Sequence, residues 1–170
     1  MTYRVDVAKL RPHPGLAARD TGTSKGAALY TTQQFVKGAL VLPFDGPIVP
    51  QDAPIPKYQI GASTFMGPDG TAADALNHSC DPSIWINPGK PGKGYALRDL
   101  AVGEEVTLDY SLTHTAATTF FTCLCGAINC RKTISGFGSI PGWQQERYIQ
   151  LGVVPQYVLD HFLPELLSSR

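Results

Sequence analysis

Apolar residues along this chain fall in short runs punctuated by glycine and proline, the rhythm of brief strands joined by turns. Ala27-Ala28-Leu29-Tyr30-Thr31 predicts a strand, residues 35–39 a turn, and Leu40-Val41-Leu42-Pro43-Phe44 a second strand closed by Asp45-Gly46-Pro47. The same grammar returns with a strand over 95–100, a turn over 101–104 and a partner strand over 106–110. Gly38 and Gly103 sit in the two turns, where a positive φ costs glycine least. The pattern predicts two small strand–turn–strand units packed together.

Between these units, 58–61 and 64–67 read as short strands after a loop marked by Pro50, Pro54 and Pro56, and 88–94 reads as a further loop. Residues 1–24 look irregular, except that Tyr3-Arg4-Val5-Asp6-Val7 alternates as a short strand would. The C-terminal part changes character. Residues 142–151 fit a helix stopped by Gly152, and Pro155 opens a second helix over 156–163. Trp143, Tyr157, Val158 and Phe162 on these helices are expected to be packing residues.

At 170 residues the chain most simply forms one domain with a real core. Its 14 lysines and arginines balance 14 aspartates and glutamates, which speaks against neutralising a phosphate backbone as its main work. No direct nucleic-acid partner is expected. No apolar stretch reaches bilayer length and the first residues lack the apolar core of a signal peptide. The expectation is a soluble, cytoplasmic protein with no membrane partner, the nucleus remaining open in a eukaryote.

The four cysteines then add chemistry. Cys123, Cys125 and Cys130 cluster within eight residues, beside Gly126 and Asn129 in turn positions, and Cys80 stands alone. The Cys-x-Cys spacing makes a disulfide within the close pair awkward but lets a hairpin wrap two thiolates onto one ion. Structural zinc takes four ligands, and Cys80 completes the tetrahedron. One closed zinc site is expected, tying the segment after Tyr110 to the loop that carries Cys80.

Three segments together carry a family resemblance. Asn77-His78-Ser79-Cys80-Asp81-Pro82, then Gly103-Glu104-Glu105 with Asp109-Tyr110, then Cys123-x-Cys125-x4-Cys130, resemble SET-domain protein lysine methyltransferases, with the last segment similar to their post-SET zinc element. Arg131-Lys132-Thr133-Ile134-Ser135-Gly136-Phe137 resembles the segment after that element in compact members. The resemblance implies a mainly β fold of small curved sheets, with a pseudoknot-like threading and short C-terminal helices. It divides the chain into an N-terminal segment (1–23), a SET domain (24–118), a post-SET element (119–137) and a helical extension (138–170). It also implies S-adenosylmethionine as methyl donor on one face and a target lysine entering a channel from the other. Asn77 and His78 would contact the donor through side-chain and backbone groups. Lys25, Gly26, Ala27 and Ala28 would form the turn lying against it, and Tyr110 would be the catalytic tyrosine between donor and channel.

The implied chemistry suits these residue types. Methyl transfer to an amine is an in-line displacement governed by alignment and exclusion of water. A lysine with an ordinary pKa of about 10.4 must lose its proton to attack, which a dry aromatic channel favours. Three positions depart from the family pattern. Ala28 replaces a second turn glycine, at a cost of about 1 kcal/mol if that position needs a positive φ. Ser83 replaces an asparagine and is expected to make one hydrogen bond where the amide bridges two. Leu108 replaces an aromatic and implies a roomier channel. The segment between Gly46 and Asp74 is short beside larger members. The expected partner is a protein or peptide bearing the target lysine; a small amine metabolite, or a non-catalytic interaction module, are the competing readings.

Overall fold

The computed structural model describes residues 5–55, 57–88, 92–116 and 120–168. Its strands, in chain order, are β1 (Leu16–Asp20), β2 (Ala27–Thr31), β3 (Leu40–Phe44), β4 (Ile48–Val49), β5 (Tyr58–Gln59), β6 (Phe65–Met66), β7 (Asn77–His78), β8 (Ile84–Asn87), β9 (Gly92–Ala96), β10 (Glu105–Leu108), β11 (Phe121–Thr122) and β12 (Thr133–Ile134). Two helices come after them, α1 (Gly142–Gln150) and α2 (Gln156–Ser168). No helix among the described residues is long and apolar enough to cross a membrane. The fold is mainly β with short helices.

The strands form three sheets. The largest runs β1-β2-β10-β8-β9-β3 with β7 beside β10; β4-β6-β5 and β11-β12 are the others. β10 organises the first of them by changing partners along its length. Its start pairs antiparallel with β2 (Glu105 opposite Tyr30, Val106 opposite Leu29). Its end runs parallel to β7 and β8, with Thr107 opposite Asn77 and Leu108 opposite both His78 and Ile84. The short β7 thereby delivers Asn77 and His78 to the end of β10, next to Tyr110. Tyr110 itself opens a 3-10 turn (Tyr110–Leu112) whose N-cap, Asp109, accepts the Ser111 N–H at 3.0 Å.

Burial explains the register. Leu29, Leu42, Ile84, Val106 and Leu108 have no exposed side-chain surface and form the main core with Phe44, Met66 and Leu76. Each such side chain contributes about 1.5–3 kcal/mol by leaving water. A second core joins Leu112 and Phe137 to Tyr148, Val153, Val154 and Val158, so the helices share a core with the turn after Tyr110. Gly136 marks a tight crossing: a Cβ there would strike the Ala116 carbonyl oxygen and lie 2.7 Å from that of His114. The Phe137 N–H donates to that His114 oxygen at 2.8 Å.

Several expectations change here. Strands 27–31 and 40–44 form as predicted, but β2 pairs with β1 and β10 while β3 pairs with β9, so they are not partners. Nor do β9 and β10 pair with each other; β8 lies between them. The β9 strand starts at Gly92, inside the expected 88–94 loop, and residues 89–91 lie outside the described residues. Tyr3 and Arg4 of the candidate first strand also lie outside them, and Val7–Lys9 is a 3-10 turn. The real N-terminal strand is β1, hidden among turn residues. Trp143 is 57% exposed and is not a core residue, because the buried face of α1 is formed by Gln144 and Tyr148.

Candidate functional site

The cysteine centre is built by two elements. Ser79 accepts the Asp81 N–H on its Oγ at 3.1 Å, closing a turn that presents Cys80 inward. The β11–β12 hairpin presents Cys123, Cys125 and Cys130, and the four Sγ atoms all lie within 4.8 Å of one another. The Cys80 and Cys123 sulfurs are 4.0 Å apart, too far for a disulfide and close to the edge of about 3.8 Å that a tetrahedron of Zn–S bonds requires. The sulfurs are also dressed with donors. The Arg131 N–H reaches Cys80 Sγ at 3.3 Å, His78 Nε2 lies 3.4 Å from the same sulfur, and the Cys125 N–H reaches Cys123 Sγ at 3.4 Å. Donors aimed at sulfur suit metal-bound thiolates, which accept such bonds. Without a cation, burial pushes the Cys80 thiol well up and Cys123 up to about 11. For Cys125, burial pushes upward, but backbone N–H groups and neighbouring thiols outweigh it and bring it to about 7. The donor set fits one structural zinc.

Directly behind Cys80 lies a buried polar hub. Asp109 is fully buried and accepts two hydrogen bonds from the Arg131 guanidinium, at 2.7 and 2.8 Å, and one from the Tyr148 hydroxyl at 3.1 Å. Burial pulls the Arg131 pKa down, but the Asp109 contact more than offsets it and holds the guanidinium charged. The carbonyl oxygen of Cys80 accepts from the side chains of Asn129 and Gln144, both at 3.0 Å. The cysteine-bearing segment and α1 therefore grip the same loop.

Tyr110 stands between this centre and a cavity. Its hydroxyl donates to the Leu76 carbonyl oxygen at 2.6 Å, and its N–H donates to His78 Nδ1 at 3.2 Å. The rings of His78, Tyr110 and Phe121 meet edge to face, with centroids 5.5, 5.6 and 6.0 Å apart. Burial, then the Glu105 charge, pushes the Tyr110 phenol well above its usual range, so it stays protonated. The cavity, about 630 Å³, is lined by Tyr110 together with Tyr58, Phe65, His114, Phe120 and Phe121. Burial lowers the His114 pKa to about 4, aided by the Lys57 charge. Gln59 and Tyr157 brace its walls. The Thr115 N–H donates to Gln59 Oε1 at 3.0 Å, and the Tyr157 hydroxyl lies 2.7 Å from the Gln59 carbonyl oxygen and 2.6 Å from that of Thr113.

Next along the chain from Leu76, the Asn77 side-chain amide donates to the Ala27 carbonyl oxygen at 2.9 Å and to Glu105 Oε1 at 3.2 Å. Lys25 pairs with the other carboxylate oxygen of Glu105 at 3.1 Å. Gly26 has φ +71, and a Cβ added there would meet nothing within 4 Å, so the turn opens onto free space. A half-buried polar group beside an open glycine turn fits a polar ligand lying over 25–28.

Placed on this geometry, Lys25, Gly26, Ala27 and Asn77 come together; Tyr110 and His78 adjoin them; and Cys80, Cys123, Cys125 and Cys130 form one cluster. The side chain of His78 is not available to a ligand over that turn. It is buried and committed to Tyr110 and Cys80, which leaves its backbone. Ala28 needs no special φ: it lies in β2 opposite Arg19, and the positive φ is at Gly26. Ser83 makes more than one hydrogen bond. Its Oγ accepts the Thr107 N–H at 2.8 Å and donates to the Thr107 carbonyl oxygen at 3.4 Å, bridging two groups as an amide would. Leu108 does not line the cavity; it is fully buried in the sheet core. The cavity aromatics Tyr58, Phe65, Phe120 and Phe121 escaped the sequence reading, as did Gln59 and His114. The adjacent Phe120-Phe121 pair, just before the cysteine cluster, was the one local signal for them.

Comparison with known proteins agrees with this architecture. The SET domain model matches residues 26–111, half of the chain. Gly26, Ala27, Asn77, His78 and Tyr110 all lie inside that match, and Lys25 directly precedes it. The chain belongs to the SET-domain family.

Among curated relatives, a probable histone-lysine N-methyltransferase, set-23, of Caenorhabditis briggsae is 36% identical over 77 residues, 41% of this chain and 32% of that protein. An H3 lysine-4 specific histone-lysine N-methyltransferase of Neurospora crassa is 31% identical over 150 residues, 75% of this chain and 11% of that protein. The chain thus spans about a third or less of these relatives. Among solved structures, KRYPTONITE in complex with mCHG DNA and SAH superposes with a TM-score of 0.58 at 21% identity, covering 69% of this chain and 28% of that one. KRYPTONITE with mCHH DNA, H3(1-15) peptide and SAH gives 0.59 at 20% identity, covering 76% and 31%. These likenesses show the fold.

Proposed function

We propose that this chain is an S-adenosylmethionine-dependent methyltransferase acting on the side-chain amine of a protein lysine. The observation that carries the reading is that Tyr110 adjoins two places: its hydroxyl sits on the carbonyl of Leu76, next to Asn77 and the open 25–28 turn that Asn77 binds, and it also lines the aromatic cavity of about 630 Å³. A site for transfer between two molecules needs that layout. The names of the relatives, histone-lysine N-methyltransferases, support lysine in a protein over a small amine.

S-adenosylmethionine supplies an electrophilic methyl carbon on a sulfonium. The chain's own residues do the rest. Lys25, Gly26, Ala27 and Asn77 form the face that holds the donor, with the His78 backbone beside them. Tyr58, Phe65, Phe120 and Phe121 wall the lysine side chain from water, which favours its neutral amine. The lysine ammonium gives its proton to solvent before reaction. The amine lone pair then forms the new N–C bond as the C–S bond breaks with its electron pair on sulfur, leaving a methylammonium and a neutral thioether. Tyr110 stays a neutral phenol with its hydroxyl anchored on Leu76, so its ring and oxygen are fixed elements of the junction rather than a proton acceptor. Zinc held by Cys80, Cys123, Cys125 and Cys130 would fix the hairpin that carries Phe121.

Incubation with methyl-labelled S-adenosylmethionine and a cell extract tests the reading. Label in protein lysines with the wild type, and not with Tyr110→Phe, is the expected result. Label confined to small molecules, or none together with no calorimetric heat for the donor, overturns it.

A further inference from the structure

His78 touches both halves of the site through opposite ring nitrogens. Nδ1 faces a backbone N–H, that of Tyr110, at 3.2 Å. An N–H only donates, so Nδ1 carries the lone pair and the proton sits on Nε2. Nε2 is 3.4 Å from Cys80 Sγ, which it therefore faces as a donor. The ring is buried, wedged edge to face between Tyr110 and Phe121, and has no room to flip without breaking both contacts. The carboxylate nearest to it, Asp109 Oδ1 at 3.7 Å from Nδ1, is already taken by Arg131 and the Ser111 N–H.

We propose that His78 is a positioning residue that couples the four-cysteine centre to Tyr110, its Nε2–H held by Cys80 Sγ and its Nδ1 holding the Tyr110 N–H. The role of Tyr110 in methyl transfer rests on the function proposed above; the coupling itself does not. A thiolate gathered into a metal centre is a fixed acceptor, so it fixes the imidazole, and the imidazole fixes the first peptide of the 110–112 turn. Phe121 and the Arg131–Asp109 pair also run between the two regions. The acceptor of the Tyr110 backbone N–H, however, is the His78 ring, and that same ring touches Cys80 Sγ.

Two variants separate the contacts. His78→Asn places an acceptor near the position of Nδ1 and lacks the reach to Cys80; His78→Gln places a donor near Nε2 and lacks the Nδ1 acceptor. With cobalt(II) in place of zinc, the thiolate-to-metal absorption should shift in His78→Asn and stay as in the wild type in His78→Gln. Amide exchange at Tyr110 should be fast in His78→Gln even with metal bound. Chelation should speed that exchange by about tenfold in the wild type and by less than about threefold in His78→Asn. An equal metal effect in wild type and His78→Asn would mean that coupling runs through Phe121 or Arg131, and would overturn the proposal. The wild type alone provides a further test: nitrogen NMR of the metal-loaded protein should show Nε2 protonated and Nδ1 bare, and the opposite tautomer sinks the idea even if neither variant folds. None of these measurements needs methyl transfer, so a chain without activity leaves them intact while overturning the functional reading.

Discussion

Arg131 and Asp109 form a two-pronged ion pair, with the carboxylate fully buried, that pins the segment after the last cysteine to the residue before Tyr110. Replacing Arg131 by leucine leaves the Asp109 carboxylate buried with only neutral partners. Urea denaturation should show a loss of about 3–5 kcal/mol. Arg131→Lys keeps a charge without the fork and should fall between the two.

Removing one oxygen tests Tyr110. In Tyr110→Phe the Leu76 carbonyl loses its donor, costing about 1–3 kcal/mol of stability. Turnover should fall by about a hundredfold, the scale expected when a reacting pair loses a positioning contact. Steady-state kinetics with labelled donor provides the number, and unchanged turnover would contradict a role for the hydroxyl.

The metal makes a stoichiometric prediction. Purified protein should contain one zinc per chain, and chelation should raise amide exchange over 120–137 while β2 and β10 stay protected. Native protein without metal and with four freely titrating thiols would be the contrary result.

His114 predicts an acid limb. Its folded pKa, about 4, lies below the ordinary value of 6.5, so the unfolded chain binds the extra proton first. The stability it contributes is complete above pH 6.5 and is lost as pH falls towards 4. His114→Gln should flatten stability over that window, measured as the denaturation midpoint against pH. The same proton would put a cation in the cavity wall, so affinity for a lysine peptide should fall over the same range in the wild type and less in the variant.

Ser83→Ala should cost about 1–3 kcal/mol, since it strips the Thr107 N–H of a buried partner. Ser83→Asn, in contrast, adds volume at a position with no exposed surface and should not restore what alanine loses. Thermal or urea melts of the pair decide it.

The chain's own residues made part of this legible. The strand over Ala27–Thr31 and the four-cysteine centre come from composition and spacing that act locally. Pairing did not, because β2 lies between the preceding β1 and the distant β10 while β3 pairs with the distant β9, and a turn glycine such as Gly38 says only that the chain bends. β1 was masked by its flanking turn residues. The cavity was invisible for a related reason: Tyr58, His114 and Phe121 come from three separate segments, and nothing in their local context marks them as neighbours. Ser83 shows the limit of motif reading, since its two bonds to Thr107 depend on the parallel approach of β8 to β10.

The Tyr157 hydroxyl meets Gln59 across 98 residues of sequence, and Gln144 meets Cys80 across 64. During synthesis, then, the walls of the cavity emerge from the ribosome long before the helix that braces them. The nascent chain passes through a stage in which every strand of the main sheet has been made and the pocket is still unbraced. The walls at Gln59 and Thr113 gain their brace only once Tyr157 of α2 has been made and has docked.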